Sequence, residues 1–225
     1  MISGETRLVG LLGDPVSRSR SPVMQNAAFA ARGLDWAYLP LAVPSESLED
    51  ALRGLVAFGF AGANVTTPHK LAVAQLLEAD VPSVNMLVVR DGRLHGSSTD
   101  AAILAELEFE RAAIIGAGGA AIAFMEALPG ALHFSRRGVW PPDARDADLV
   151  VNATSERDEV VVELHAGQTL VDLPYPATAT ARAAAAAGAR VVDGLDVLLA
   201  QGAASFELWT GVPAPHEVMS AVVRS

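Results

Sequence analysis

The chain has 225 residues, 51% hydrophobic and 19% charged, enough to bury one large core or two small ones. Its formal net charge is −10, and a phosphate-binding surface wants the opposite sign, so nucleic acid is not an expected partner. It has no cysteine, which excludes disulfides, thiolate catalysis and Cys-ligated metals, and no metal site is expected.

The opening residues show no basic stretch followed by a long apolar run. No apolar stretch reaches the roughly 18 residues of a membrane span. A soluble, cytoplasmic protein is the expectation. Leu8 to Gly13 reads as a short buried strand ending in a glycine turn. From Pro22 the pattern is helical and stops at Gly33. Trp36 to Val43 alternates as a strand, and Glu46 to Phe58 reads as a helix that Gly59 breaks. Ala61 to Thr66 is a strand, and a helix follows from about Pro68 to Leu77. Val84 to Val89 and Arg93 to Gly96 flank Asp91-Gly92, a tight-hairpin dipeptide. The first hundred residues therefore predict an α/β sheet with helices on its faces.

A helix is expected from about Asp100 to Leu107. Residues 111–130 then read as a buried strand, a glycine turn and a helix. Ala131 to Ser135, Asp148 to Thr154, Thr169 to Tyr175 and Ala189 to Gly194 read as four more strands. An Ala-rich helix ends at Gly188, and the tail from Val197 to Arg224 reads as helices broken at Gly211 to Pro215. This second half predicts a nucleotide-binding α/β domain in miniature, a shortened Rossmann-like fold. The expected domains are 1–100, with 197–225 packing back on it, and 101–196.

Gly116-Ala117-Gly118-Gly119-Ala120 stands at the expected strand-to-helix turn. Missing side chains there let the backbone approach a pyrophosphate, while the helix N-terminus supplies N–H donors. A tight turn packing helix on strand would use the same glycines. At the end of the next strand an NAD enzyme places an acid for the ribose 2′-hydroxyl. This chain reads Ser135-Arg136-Arg137 instead. Guanidinium groups suit a 2′-phosphate, so NADP is favoured over NAD. Two arginines on a solvated loop are the plain alternative.

In the first half, Ser17 to Pro22 lies between a strand and a helix. It is either a grip for a small anionic or polyol ligand or an ordinary helix cap. Asn64-Val65-Thr66-Thr67-Pro68-His69-Lys70 ends a strand and opens a helix. Lys70 then sits at the sheet's C-terminal edge, where open α/β sheets bind ligands. Ser97-Ser98-Thr99-Asp100 opens another helix, and Asp100 alone reads as a cap.

Taken in order, Ser19-Arg20-Ser21-Pro22, the Asn64 to Lys70 segment, Val84-Asn85, Thr99-Asp100, the Gly116 to Ala120 turn, Asp148 to Ser155, and Asp193-Gly194 through Gln201 resemble the shikimate dehydrogenase family. The resemblance covers nearly the whole chain. It implies an N-terminal domain for shikimate, a second domain for NADP, and a cleft between them. It implies Lys70 as the proton carrier at the ring oxygen, with Asp100 orienting it or sharing the proton. It implies Ser19 and Ser21 for the substrate carboxylate with Tyr175 close by, and Asn64, Thr66, Asn85 and Gln201 for the ring hydroxyls. For the cofactor it implies Gly116, Ala117, Gly118, Gly119 and Ala120, then Ser135, Arg136 and Arg137, then Ala153 and Thr154. Leu173 and Gly194 would lie near the nicotinamide.

The implied reaction interconverts shikimate and 3-dehydroshikimate in aromatic amino-acid biosynthesis, by a monomer or homodimer. A paralogue acting on quinate or another ring hydroxy acid is one alternative. A non-catalytic ligand-binding protein on the same fold is another, although a binder has no need of the Lys70 and Asp100 pair. The chain departs from the family at Gln25, often His, at Met86, usually Thr, at Ala101, usually Gly, and after Ser155, where Gly-Met is usual. Only Arg137 to Ala147 separates the arginines from the next strand. The family fits a helix and a strand there, so a rebuilt adenosine half is expected.

Overall fold

The computed structural model describes residues 2–225. The chain divides into two compact units, one running up to Thr99 and including Leu199–Ser225, the other formed by Asp100–Leu198. The first unit contains β1 (Arg7–Gly13), α1 (Ser21–Ala31), β2 (Trp36–Ala42), α2 (Leu48–Ala57), β3 (Gly62–Val65), α3 (Lys70–Leu76), β4 (Met86–Arg90) and β5 (Arg93–Ser97). Its sheet runs β2-β1-β3-β4-β5. The pairs β1–β2 and β1–β3 are parallel, whereas β3–β4 and β4–β5 are antiparallel. Asp91 and Gly92 both have positive φ, 51° and 70°, the conformation that a two-residue hairpin turn demands.

Because β1 and β3 are parallel, the segments that follow them leave from the same sheet edge. The Asp14 N–H donates to Thr67 O at 3.1 Å and ties the two segments together. The helix expected from Pro68 begins two residues later, at Lys70. The His69 N–H closes a turn on Thr66 O at 3.0 Å before the helix starts. Leu12, Leu52, Leu55, Val65, Val73 and Leu87 are among the residues that fill the core between this sheet and its helices.

The second unit contains β6 (Ala112–Ile115), α4 (Gly119–Ala127), β7 (Leu132–Phe134), β8 (Leu149–Asn152), β9 (Thr169–Asp172), α5 (Ala179–Ala186) and β10 (Arg190–Val192). Its sheet is all parallel, in the order β10-β9-β8-β6-β7. The strand order reverses beside β6, a topological switch point where such sheets take ligands. The α-helix expected over Asp100 to Leu107 is instead a 3-10 helix, Ala102–Glu106. Ile103 is its one buried residue, too little apolar face to hold a longer α-helix.

Residues 135–148, between β7 and β8, carry neither helix nor strand. They form a strap whose Ala144 and Ala147 enter the core. Gln168, 2% exposed, pins it: Nε2 donates to Ala144 O at 2.8 Å and to Ala147 O at 2.7 Å. Two last helices are α6 (Gly194–Thr210) and α7 (His216–Arg224). In the first unit, Phe206 of α6 stacks on Phe29 of α1 with ring centroids 5.4 Å apart. The α/β class expected from the sequence is the class the chain adopts, with its second sheet of Rossmann type shortened by the strap.

Candidate active site

The first unit gathers the amide side chains named from the sequence into one buried network. Asn64, at the end of β3, accepts a hydrogen bond at Oδ1 from the Tyr38 hydroxyl at 2.9 Å. Its Nδ2 donates to Asn85 O at 3.1 Å and to Ser205 Oγ at 2.9 Å. Asn85 accepts at Oδ1 from the Thr99 N–H at 2.7 Å, and its Nδ2 donates to Thr99 Oγ1 at 3.0 Å and Gln201 Oε1 at 3.3 Å. Ser205 in turn donates to Gln201 O at 3.0 Å. Buried polar groups are costly unless paired, and a paired network fixes each member's orientation. Met86, fully buried on β4, brings its sulfur within 3.9 Å of Asn64 Nδ2.

Lys70 is half-buried at the first position of α3. His69, just before it, is buried and donates from Nε2 to Val43 O at 2.7 Å. Thr66 is half-buried, and its N–H donates to Leu12 O at 2.8 Å. Asp100 is 8% exposed and directly follows Thr99, the residue that Asn85 holds by both backbone and hydroxyl. Ser19 and Ser21 stand at the start of α1, half-buried and buried. The N-cap is Arg20, without a side-chain cap bond of its own, and Ser19 Oγ accepts the N–H of Ser21, the first residue of α1, at 3.2 Å.

In the second unit, Gly116 has φ +135°. Its N–H donates to Phe134 O at 2.9 Å, and its carbonyl accepts from His133 Nε2 at 2.6 Å. A Cβ at Gly116 would stand 2.8 Å from Ala153 O, so only glycine fits. Gly118 is the N-cap of α4, with no side-chain cap bond. A Cβ there would meet nothing within 4 Å. The first turn of α4 thus offers backbone donors that no side chain caps, with open space at Gly118, and this fits a pyrophosphate. Ala117 is exposed beside it, and Gly119 and Ala120 are half-buried in the first turn.

Asn152 ends β8 fully buried and donates to Asp172 Oδ1 at 2.7 Å. Its Oδ1 accepts from the Thr154 N–H at 3.2 Å and hydroxyl at 2.8 Å, which shapes the Ala153-Thr154 turn. Burial pushes the Asp172 carboxyl above its ordinary value, opposed by the bonds from Asn152 and Thr178. Leu173 and Gly194 are brought together: a Cβ at Gly194 would collide with the Leu173 carbonyl and stand 2.6 Å from Pro174 O. Tyr175 is half-buried, and its carbonyl accepts from Arg157 Nη2 at 2.8 Å.

Ser135 is buried, and its carbonyl accepts the Gly138 N–H at 2.9 Å, closing a turn that leaves Arg136 and Arg137 exposed. Arg136 is not a lone solvated arginine. It lies 3.7 Å from Glu156, 3.6 Å from Glu159 and 5.4 Å from the centroid of the Trp140 ring. The sequence reading missed these three residues, and also Tyr38, Ser205 and the part Thr99 plays. Ser205 was findable, since it stands four residues after Gln201 and shares its helix face. No periodicity or motif marks Tyr38 or Trp140.

Residues 11–87 match the family model for the shikimate dehydrogenase substrate binding domain, and residues 194–224 match that for the shikimate 5′-dehydrogenase C-terminal domain. A shikimate dehydrogenase (NADP(+)) of Anaeromyxobacter sp. (strain Fw109-5) is 39% identical over 274 aligned positions, covering 100% of this chain and 98% of the relative. The alignment is longer than the 225-residue chain, so the relative carries positions that this chain omits. Among solved structures, a shikimate dehydrogenase from Aquifex aeolicus matches with a TM-score of 0.90 at 29% identity, covering 100% of both chains. Shikimate 5-dehydrogenase from Thermus thermophilus, in complex with NADP(H) and shikimate, matches with a TM-score of 0.82 at 31% identity, covering 97% of this chain and 98% of that one. The chain belongs to the shikimate dehydrogenase family.

Proposed function

We propose that this protein interconverts shikimate and 3-dehydroshikimate by hydride exchange with NADP(H). The observation that carries the reading is the buried network in which Asn64, Asn85 and Gln201 are held by Tyr38, Thr99 and Ser205. A ligand with several hydroxyls needs partners already fixed in orientation, and Asn64, with both Nδ2 hydrogens spent and one bond accepted at Oδ1, presents a fixed oxygen to which a ligand hydroxyl can donate. In this reading residues 1–100 with 197–225 hold the substrate, and 101–196 hold the dinucleotide.

Ser19 and Ser21 bind the substrate carboxylate with Tyr175 near it. Asn64, Thr66, Asn85 and Gln201 bind the ring hydroxyls. When bound, the dinucleotide supplies the hydride to the ring carbonyl carbon, or accepts it in the reverse direction. Lys70 donates a proton to the oxygen as charge develops there, and takes it back in reverse. Asp100 orients Lys70 or shares its proton. Gly116 to Ala120 cradle the pyrophosphate, and Ala153 and Thr154 form the turn beside Gly116. Leu173 and Gly194 line the nicotinamide end, while Ser135, Arg136 and Arg137 stand at the adenosine end.

The intact Lys70 and Asp100 pair favours an enzyme over a non-catalytic binder. Met86 against Asn64 is the feature that favours quinate or another ring hydroxy acid as an alternative substrate. The reading carries with it a cytoplasmic enzyme acting as monomer or homodimer. No helix among the described residues is long and apolar enough to cross a membrane. The test is a steady-state assay of shikimate and quinate, each with NADP+ and NAD+. The highest kcat/KM is expected for shikimate with NADP+. Faster turnover of quinate would replace the substrate, and no turnover with any pair would sink the enzyme reading.

A further inference from the structure

We infer that Glu156 and Glu159 set how strongly this protein prefers NADP(H) over NAD(H), by competing with the 2′-phosphate for Arg136. The inference deepens the proposed cofactor use and rests on it. Arg136 is the residue best placed to meet a 2′-phosphate: it stands in the turn just after β7, at the sheet edge beside the Gly116 loop. Its guanidinium already faces two carboxylates, at 3.7 Å and 3.6 Å. Both distances exceed those of a charge-assisted hydrogen bond, so neither pair amounts to a bidentate clasp. An arriving phosphate can reach the guanidinium, but it does so beside two negative charges.

Glu156 cannot readily swing away. Its Oε1 accepts the backbone N–H groups of Arg157 at 3.0 Å, Asp158 at 3.1 Å and Glu159 at 3.3 Å. These bonds, with Arg136 beside it, hold its carboxyl below the ordinary range and keep it charged. Glu159 is 75% exposed and makes its contact with Arg136 from solvent. The Trp140 ring, carried by the 135–148 strap, supports the guanidinium from another side. Arg136 therefore has a support that remains when the carboxylates are neutralised. The ribose 2′-hydroxyl of NAD(H) is neutral and feels the carboxylates far less than a phosphate dianion does.

The test is calorimetric titration of NADP+ and of NAD+ into the wild-type protein and into Glu156→Gln, Glu159→Gln and the double variant. Each neutralisation is expected to tighten NADP+ binding about two- to fivefold, the range that exposed ion pairs span, with the Kd for NAD+ unchanged. Glutamine at 156 keeps the Oε1 acceptor for the three N–H groups. Glu159→Gln disturbs no backbone bond of Glu156 and serves as the second variant if Glu156→Gln unfolds. Equal tightening of both dinucleotides, or no change in either, would overturn the inference while leaving the cofactor reading intact. A wild-type protein that binds neither dinucleotide would overturn the cofactor reading, and the inference with it.

Discussion

The Tyr38 hydroxyl donates to Asn64 Oδ1 at 2.9 Å, from a side chain that is 1% exposed. Burial pushes the phenol well above its ordinary value, so it stays a donor at any working pH. Asn64 spends both Nδ2 hydrogens on Asn85 O and Ser205 Oγ, which leaves Oδ1 dependent on Tyr38. Tyr38→Phe keeps the ring against Trp209, at 6.0 Å between centroids, and deletes the donor to Asn64 together with the hydroxyl's bond to Ser21. It is expected to cost about 1–3 kcal/mol, the penalty for a buried acceptor left unpaired, and to raise the KM for shikimate more than it lowers kcat. An unchanged KM would show that Tyr38 does not hold Asn64 for the substrate.

Lys70→Ala is expected to lower kcat by at least about a hundredfold, the typical worth of a positioned acid or base. KM should change less, because the Asn64, Asn85 and Gln201 amides that hold the ring hydroxyls remain in place. Stopped-flow measurement of NADPH formation checks it. Near-native turnover would remove Lys70 from the chemistry.

Replacing Ser19 and Ser21 together with Ala is expected to raise the KM for shikimate and leave NADP+ affinity unchanged. The double variant also removes the Ser19 Oγ acceptor of the first α1 N–H and the Ser21 bond to Tyr38, so a urea unfolding curve is measured alongside to separate lost binding from lost stability. Calorimetric titration of shikimate into the double variant decides the point. Normal binding there would leave the serines without a role in holding the carboxylate.

The strap that replaces a helix and a strand depends on one side chain. Gln168→Leu leaves Ala147 O without its donor and the His165 N–H without its acceptor, and leaves Ala144 O with the Ala147 N–H alone. At roughly 1–3 kcal/mol for an unpaired buried group, the expected loss of stability in urea unfolding is of that order. NADP+ binding should weaken as well, because the strap carries Trp140 to Arg136. Native stability in this variant would mean that water or a rearranged strap satisfies the Ala147 carbonyl.

Much of the fold was legible because its signals are local. Gly33, Gly59 and Gly188 have the positive φ that a helix exit requires, and Asp91-Gly92 forms its hairpin turn. The parallel strands were readable as short apolar runs between glycines. The 3-10 helix was not, since Ala102 to Leu107 has helix-forming residues and only the tertiary burial of Ile103 alone decides the outcome. Lys70, Asn64 and Asn85 stood out through motif order. Tyr38 and Gln168 act across long separations, 26 residues to Asn64 and 24 to Ala144, and no local pattern encodes such a pairing. The setting of Arg136 was hidden for the same reason: Glu156 and Glu159 follow the next strand.

Ser135-Arg136-Arg137 also sets the cofactor preference to be expected. The turn closed by Ser135 O and the Gly138 N–H presents both arginines to solvent. A phosphate meeting one guanidinium gains charge-assisted hydrogen bonds, each worth roughly 1.5–3 kcal/mol. One such bond corresponds to about a ten- to hundredfold preference. Glu156 and Glu159 subtract from this, so the lower end applies. The strap does not leave Arg136 on an unsupported loop, because Trp140 stands beside it and Gln168 anchors the strap in the core. Less entropy is then lost when the side chain is ordered by a ligand. NADP+ is therefore expected to exceed NAD+ in kcat/KM by at least about tenfold, and Arg136→Ala to remove most of that gap. Equal use of both cofactors by the wild-type enzyme would show that the shortened segment no longer grips the phosphate. A gap that survives in Arg136→Ala would move the grip to Arg137.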